Sequence, residues 1–244
     1  MSPRPSPPLP PLVPVFPLPN VVLFPKVLLM LRIFEPRYRS MLKDVLDSHG
    51  FIAMALFKPG WEADYFGNPE VFSMVGVGRV IEYSPAESGT YRIRLLGERR
   101  AEIQEWIGGR PYRQAKLEEV HEEEPGPADR ERLRERIRQY LDLLMQKEES
   151  LDEEARSRID EEVSTADELG FLVDSIAYHF LVDPREKQEL LEVPNALERE
   201  KRLREFLLRH LQIPPGSPSP KNPKKKPSPP GKKREQDGGP AGDF

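Results

Sequence analysis

Catalysis needs reactive side chains brought together, and this sequence offers few. It contains no cysteine, which removes disulfides, thiol nucleophiles, thiolate zinc sites and iron–sulfur ligation. Its four histidines, His49, His121, His179 and His210, are scattered and show no His-x-x-x-His or similar metal spacing. Gly76-Val-Gly78 has no third glycine and lies in a strand pattern, so it is not a dinucleotide fingerprint. No Gly-x-Ser-x-Gly elbow is present. The runs Glu122–Glu124 and Asp152–Glu154 read as solvated helix or linker charge rather than as a cation site. No catalytic residue, metal or cofactor is expected.

Contact chemistry is better represented. The polar loop Lys58–Pro69 holds Trp61, Tyr65 and Phe66 within six residues. Aromatic rings grouped on a surface loop are costly unless they bind something, and they provide large contact area at low entropy cost. They read either as a contact site for another polypeptide or as a lid folded back over the domain. Near the end, Lys224-Lys-Lys-Pro-Ser-Pro-Pro-Gly-Lys-Lys-Arg has the composition of a nucleic-acid or nuclear-import patch. It is equally a flexible, solubilising tail, since its prolines keep it extended.

The elements that must position these residues occupy the middle of the chain. Of 28 prolines, nine lie in residues 1–19 and nine in 214–244, leaving ten for the 194 residues between. Both ends are therefore expected to be disordered, and the folded body is residues 12–213. The tail 214–244 carries seven bases and three acids, a net +4, so the rest holds −8 of the total −4. An acidic body argues against phosphate-backbone binding as the main task. No apolar run approaches the ~18–20 residues of a membrane span. With a proline-rich start in place of a signal peptide, a cytoplasmic location is expected.

Extended segments are read at 13–18, 27–33, 51–57, 71–83, 90–96, 100–107 and 113–120. Prolines 14, 17, 19 and 25 confine the first to an edge or an irregular strand. Glu35-Pro36 opens a helix that Gly50 stops, with Tyr38, Met41, Leu42 and Val45 on one face. Gly76 and Gly78 suggest a bulge or tight bend. Short strands around one helix give a strongly bent, partly closed β barrel. From Glu118 the composition turns acidic, with 19 acids and 8 bases over 118–168. Amphipathic helices are expected over 129–146, from Thr165 with Glu168 as a capping box, from Asp183-Pro184 with Glu186 as another, and from about Pro194 to Leu211. The fold class is α+β: a β domain over 12–121 with one inserted helix, a helical bundle over 122–213, and disordered ends at 1–11 and 214–244.

Four stretches and a late pair, in order, resemble one known family. They are Pro17-Leu-Pro…Leu-Phe24-Pro25, Arg32-Ile-Phe34-Glu35-Pro36-Arg37-Tyr38, Val75-Gly-Val-Gly-Arg-Val-Ile-Glu82, Leu96-Gly-Glu-Arg-Arg100, and the late pair Ser175-Ile-Ala-Tyr-His179 and Glu186-Lys-Gln-Glu-Leu-Leu-Glu192. Together they are similar to the substrate-binding domain found at the N-terminus of Lon proteases. The resemblance implies a PUA-like pseudo-barrel followed by a helical bundle, and recognition of unfolded or degron-bearing polypeptide. The ATPase loop Gly-x-x-x-x-Gly-Lys-Ser/Thr is absent, so a stand-alone, non-enzymatic form is expected. A Lon-type protease is a candidate partner, and the role is that of an adaptor in proteolysis or quality control. RNA binding through the barrel and basic tail is the alternative. The opening motif is read as structural: Phe24, Ile33 and Phe34 fill the core, prolines set turns, and Arg32, Glu35 and Arg37 form a charge cluster.

Overall fold

The computed structural model describes residues 7–64, 67–86, 89–147, 157, 161, 163–166 and 168–210, with side chains at 143–147 excepted. The two proline-rich ends, apart from residues 7–11, lie outside that set, as do Tyr65 and Phe66. Six strands build one sheet: β1 Val13–Leu18, β2 Leu28–Ile33, β3 Phe51–Leu56, β4 Met74–Pro85, β5 Tyr91–Ile107 and β6 Arg113–Val120, with helix α1, Pro36–Leu46, inserted after β2. The order is β2-β5-β4-β3-β1-β6, and β6 also pairs with β5. That last pairing closes the sheet into a barrel. β5 can serve both because its residues 91–96 pair with β2 and its residues 100–107 pair with β6.

β5 is one strand of 17 residues, where the sequence suggested two. Opposite Val77 and Gly78 the register skips Glu98. One extra residue resets the alternation of faces, so the pattern breaks although the chain does not turn. β1 corrects a second expectation. Despite Pro14 and Pro17 it is an inner strand, parallel to β3 and antiparallel to β6. Its neighbours cover different halves, β6 pairing 13–15 and β3 pairing 15–18. Only Val15 is paired on both sides, so each missing amide interrupts at most one ladder.

The segment between β1 and β2 runs across the sheet at two glycines. A Cβ at Gly76 would collide with the Leu23 carbonyl, and one at Gly97 with that of Phe24. Here glycine is required for close backbone approach.

Helices α2 (Pro127–Lys147), α3 (Leu169–Phe180), α4 (Pro184–Leu191) and α5 (Ala196–His210) follow. Val22, Phe24, Val27 and Leu56 of the barrel share a buried cluster with Leu133, Ile137, Leu172, Ile176, Leu203 and Phe206 of the helices. A buried ionic network crosses the same boundary. The Arg100 guanidinium donates to both Asp174 carboxylate oxygens at 2.7 Å and to Glu122 at 2.8 Å. Arg199 lies 2.9 Å from Asp174, also contacts Glu122, and donates to the Val193 carbonyl at 2.6 Å. Arg100, Asp174 and Arg199 are almost fully buried. Burial pushes the Glu122 carboxyl above its ordinary value, against the pull of the two arginines. The second arginine of the Gly97-Glu-Arg-Arg100 stretch thus joins barrel to bundle, while Arg99 bonds Glu119 at 2.7 Å.

Caps differ in detail from expectation. Thr165 and Glu168 form no capping box. Thr165 donates back to the Glu161 carbonyl, and the first amides of α3 are taken by the remote Glu124 carboxylate at 3.2 Å. Asp183 caps α4 through the Arg185 amide at 2.8 Å. Glu186 turns instead to Arg209 and His210 of α5.

Candidate functional site

A groove of about 770 Å³ lies between the loop after β3 and the hairpin joining β5 to β6. Lys58, Asn68, Pro69, Glu70 and Val71 form one wall. Ile103, Trp106, Ile107, Arg110 and Arg113 form the other, and Arg37 and Tyr38 at the start of α1 close one end. Backbone bonds pin the loop at its neck: Phe57 bridges Val71, the Lys58 amide donates to Glu70 at 2.9 Å, and the Phe72 amide to Leu56 at 3.0 Å. Arg113 ties the walls together by donating to the Pro69 carbonyl at 2.8 Å. Burial lowers the pKa of the Arg113 guanidinium from its ordinary value.

The hairpin turns through Gly108 and Gly109. Gly109 has φ +99, a conformation that favours glycine. Tyr112 anchors the hairpin on α1, its hydroxyl donating to Asp44 at 2.6 Å. Burial, reinforced by that carboxylate, pushes the Tyr112 phenol up to about 12. Arg110 adds a 3.3 Å ion pair to Asp44. Trp106 stands 46% exposed, with the Arg113 guanidinium 5.7 Å from its ring centre. A mixed polar and apolar lining with an open indole suits an extended polypeptide, whose side chains pack against the ring and aliphatic side chains while its backbone meets polar groups. None of the described lining residues is histidine or cysteine.

The residues singled out from sequence fall in different places. Trp61 stacks on the buried Phe57, centroids 5.5 Å apart and planes 14° from parallel. It covers the neck of the loop and does not line the groove. Pro17, Phe24 and Tyr38 are buried, Pro25 is half-buried, and Pro36 occupies the first turn of α1 after Glu35. Arg37 donates to Glu35 at 3.0 Å and lies over the Tyr38 ring, and with Tyr38 it reaches the groove. Two expectations fail. Phe34 is 59% exposed rather than core, because it follows β2 on the outward side. Arg32 stays out of the Glu35–Arg37 pair, since β2 directs it to solvent opposite Arg92. Trp106, Arg110 and Arg113 were missed. Their signal was Trp106-Ile-Gly-Gly-Arg-Pro-Tyr112, an aromatic and basic turn between two strands already read.

This β pseudo-barrel with an inserted helix and a helical bundle is PUA-like, and a profile of the ATP-dependent protease La (LON) substrate-binding domain matches residues 12–209. The chain belongs to that family. It is 27% identical to the Lon protease of Dictyoglomus thermophilum over 206 residues, 84% of this chain and 25% of that protein. It is 24% identical to that of Desulfosudis oleivorans over 205 residues, with the same coverages of 84% and 25%. It therefore spans about a quarter of the length of the curated relatives it matches. The solved N-terminal domain of Mycobacterium avium complex Lon protease superposes with TM-score 0.64 at 19% identity, covering 82% of this chain and 99% of that one. The Lon N-terminal domain protein from Xanthomonas campestris gives 0.56 at 18% identity, covering 80% and 98%. Membership carries a substrate-recognition role at the level of the family.

Proposed function

We propose that this chain is a non-enzymatic recognition module that holds unfolded or degron-bearing polypeptide in the groove between the loop after β3 and the β5–β6 hairpin. It serves as an adaptor in proteolysis or quality control beside a Lon-type protease. The observation that carries this reading is the groove itself: about 770 Å³, with a half-exposed Trp106 on its wall, in a substrate-binding-domain fold. Trp106 has the character of an interface anchor, a large ring on a rigid strand.

The test is the affinity of the purified protein for a fluorescently labelled, reduced and alkylated polypeptide. The unaltered protein should bind it, and Trp106→Ala should weaken binding by roughly tenfold or more, as anchor residues do, at an unchanged melting temperature. Absence of binding, or equal binding by the variant, contradicts the proposal. RNA captured in its place, with steep salt dependence, would favour the nucleic-acid alternative.

A further inference from the structure

β2 is the one strand of the order that pairs on a single side. Its sequence, Leu28-Leu-Met-Leu-Arg-Ile33, carries Arg32 as its one charge and contains no proline, and its register with β5 has no bulge. Edge strands are normally guarded by charges, prolines or bulges, and an edge with so few of them is a template for pairing. Among the described residues, no backbone hydrogen bond reaches its far side.

The outward face beside this edge is unusual. Met30 is 78% exposed, and with Arg32, Arg92, Arg94 and Glu82 it lines a shallow cleft of about 370 Å³. Arg32 stands directly opposite Arg92 across the β2–β5 ladder, a like-charge placement that is destabilising. Glu82 is engaged by Arg94 at 2.8 Å. Among the described residues neither Arg32 nor Arg92 has an ion-pair partner. Three arginines face one carboxylate on a protein whose residues 1–213 carry −8.

We propose that the free edge of β2 receives an extended acidic segment of a partner polypeptide. The segment adds as a further strand and sets a carboxylate beside Arg32, with Arg92 directly behind it across the β2–β5 ladder. Strand addition satisfies the open backbone groups, and the alternating side chains provide selectivity. A second copy of this chain fits less well, because pairing β2 with β2 would bring two cationic faces together. This surface lies on the 91–96 half of β5, whereas the groove borders its later half. The two can be tested independently.

The probe is a short synthetic peptide alternating valine and glutamate, with a valine–lysine peptide as its control. The unaltered protein should bind the glutamate peptide at least ~tenfold more tightly, since the arginines attract its carboxylates and repel the lysines of the control. The double substitution Arg32→Glu/Arg92→Glu, at exposed positions that leave the melting temperature unchanged, should reverse the preference. Methylating alternate backbone nitrogens of the glutamate peptide should abolish binding, because a strand cannot then add. Equal affinity for both peptides, no detectable binding, undiminished binding to the double variant or tolerance of methylation would each overturn the proposal. So would dimerisation through this edge, seen as a doubled mass that the double substitution removes.

Discussion

Asp174 is the residue on which most depends. It sits between the guanidinium groups of Arg100 and Arg199, all three almost fully buried. A buried pair is weak evidence for net stability, but breaking it leaves uncompensated charge. Asp174→Asn should therefore lose ~3–5 kcal/mol in urea unfolding. A loss below ~1 kcal/mol would mean that water reaches the network. Tyr112 offers a pH test. Its folded pKa is raised from 10.0 to about 12, so its contribution is complete below 10.0 and fades as the pH rises through about 12. Tyr112→Phe should remove one late-titrating phenol from an ultraviolet absorbance titration, leaving that of the half-buried Tyr140, whose pKa is also raised by burial. The variant should also flatten the fall in stability over that window. An unchanged titration would show that the Asp44 bond does not form in solution.

At the scale of elements, legibility followed local signals. Strands 13–18 and 113–120 and helix α1 could be placed because alternation, Pro36 and Gly50 mark them within a few residues. What failed depended on distant partners. The inner position of β1 is decided by which halves β3 and β6 cover. The α3 cap comes from Glu124, some 45 residues upstream. The continuity of β5 is hidden by a bulge. The site was legible in pieces: Arg37 and Tyr38 lay in a motif already noted, the β5–β6 turn was implied, and only the closed barrel brings them together. Two substitutions probe this level. Gly97→Ala drives a methyl into the Phe24 carbonyl and should abolish the native near-ultraviolet dichroism or cost well over ~3 kcal/mol. Asp183→Ala removes the α4 cap and should cost only about 1 kcal/mol. The reverse ranking would show the β1–β2 segment to be displaced from the sheet.

For the whole molecule, barrel and bundle share one buried apolar cluster and one ionic network. Neither can open without exposing Phe24 and leaving Arg100 unpaired. Thermal unfolding should therefore be a single transition, with tryptophan fluorescence from the barrel and helical circular dichroism from the bundle coinciding. Two separated midpoints would show that the interface is loose. A rigid union matters for recognition, because it lets the groove stay preformed and limits the ordering cost of binding.

The groove claim is tested most directly by the environment of Trp106. The chain has two tryptophans, so Trp61→Phe leaves Trp106 as sole reporter. On titration with a reduced, alkylated polypeptide free of tryptophan, its emission should shift to the blue and its quenching by acrylamide should fall, saturating with the same affinity as the labelled-polypeptide assay. A saturable complex that leaves Trp106 emission and quenching unchanged would place the polypeptide elsewhere and contradict the account.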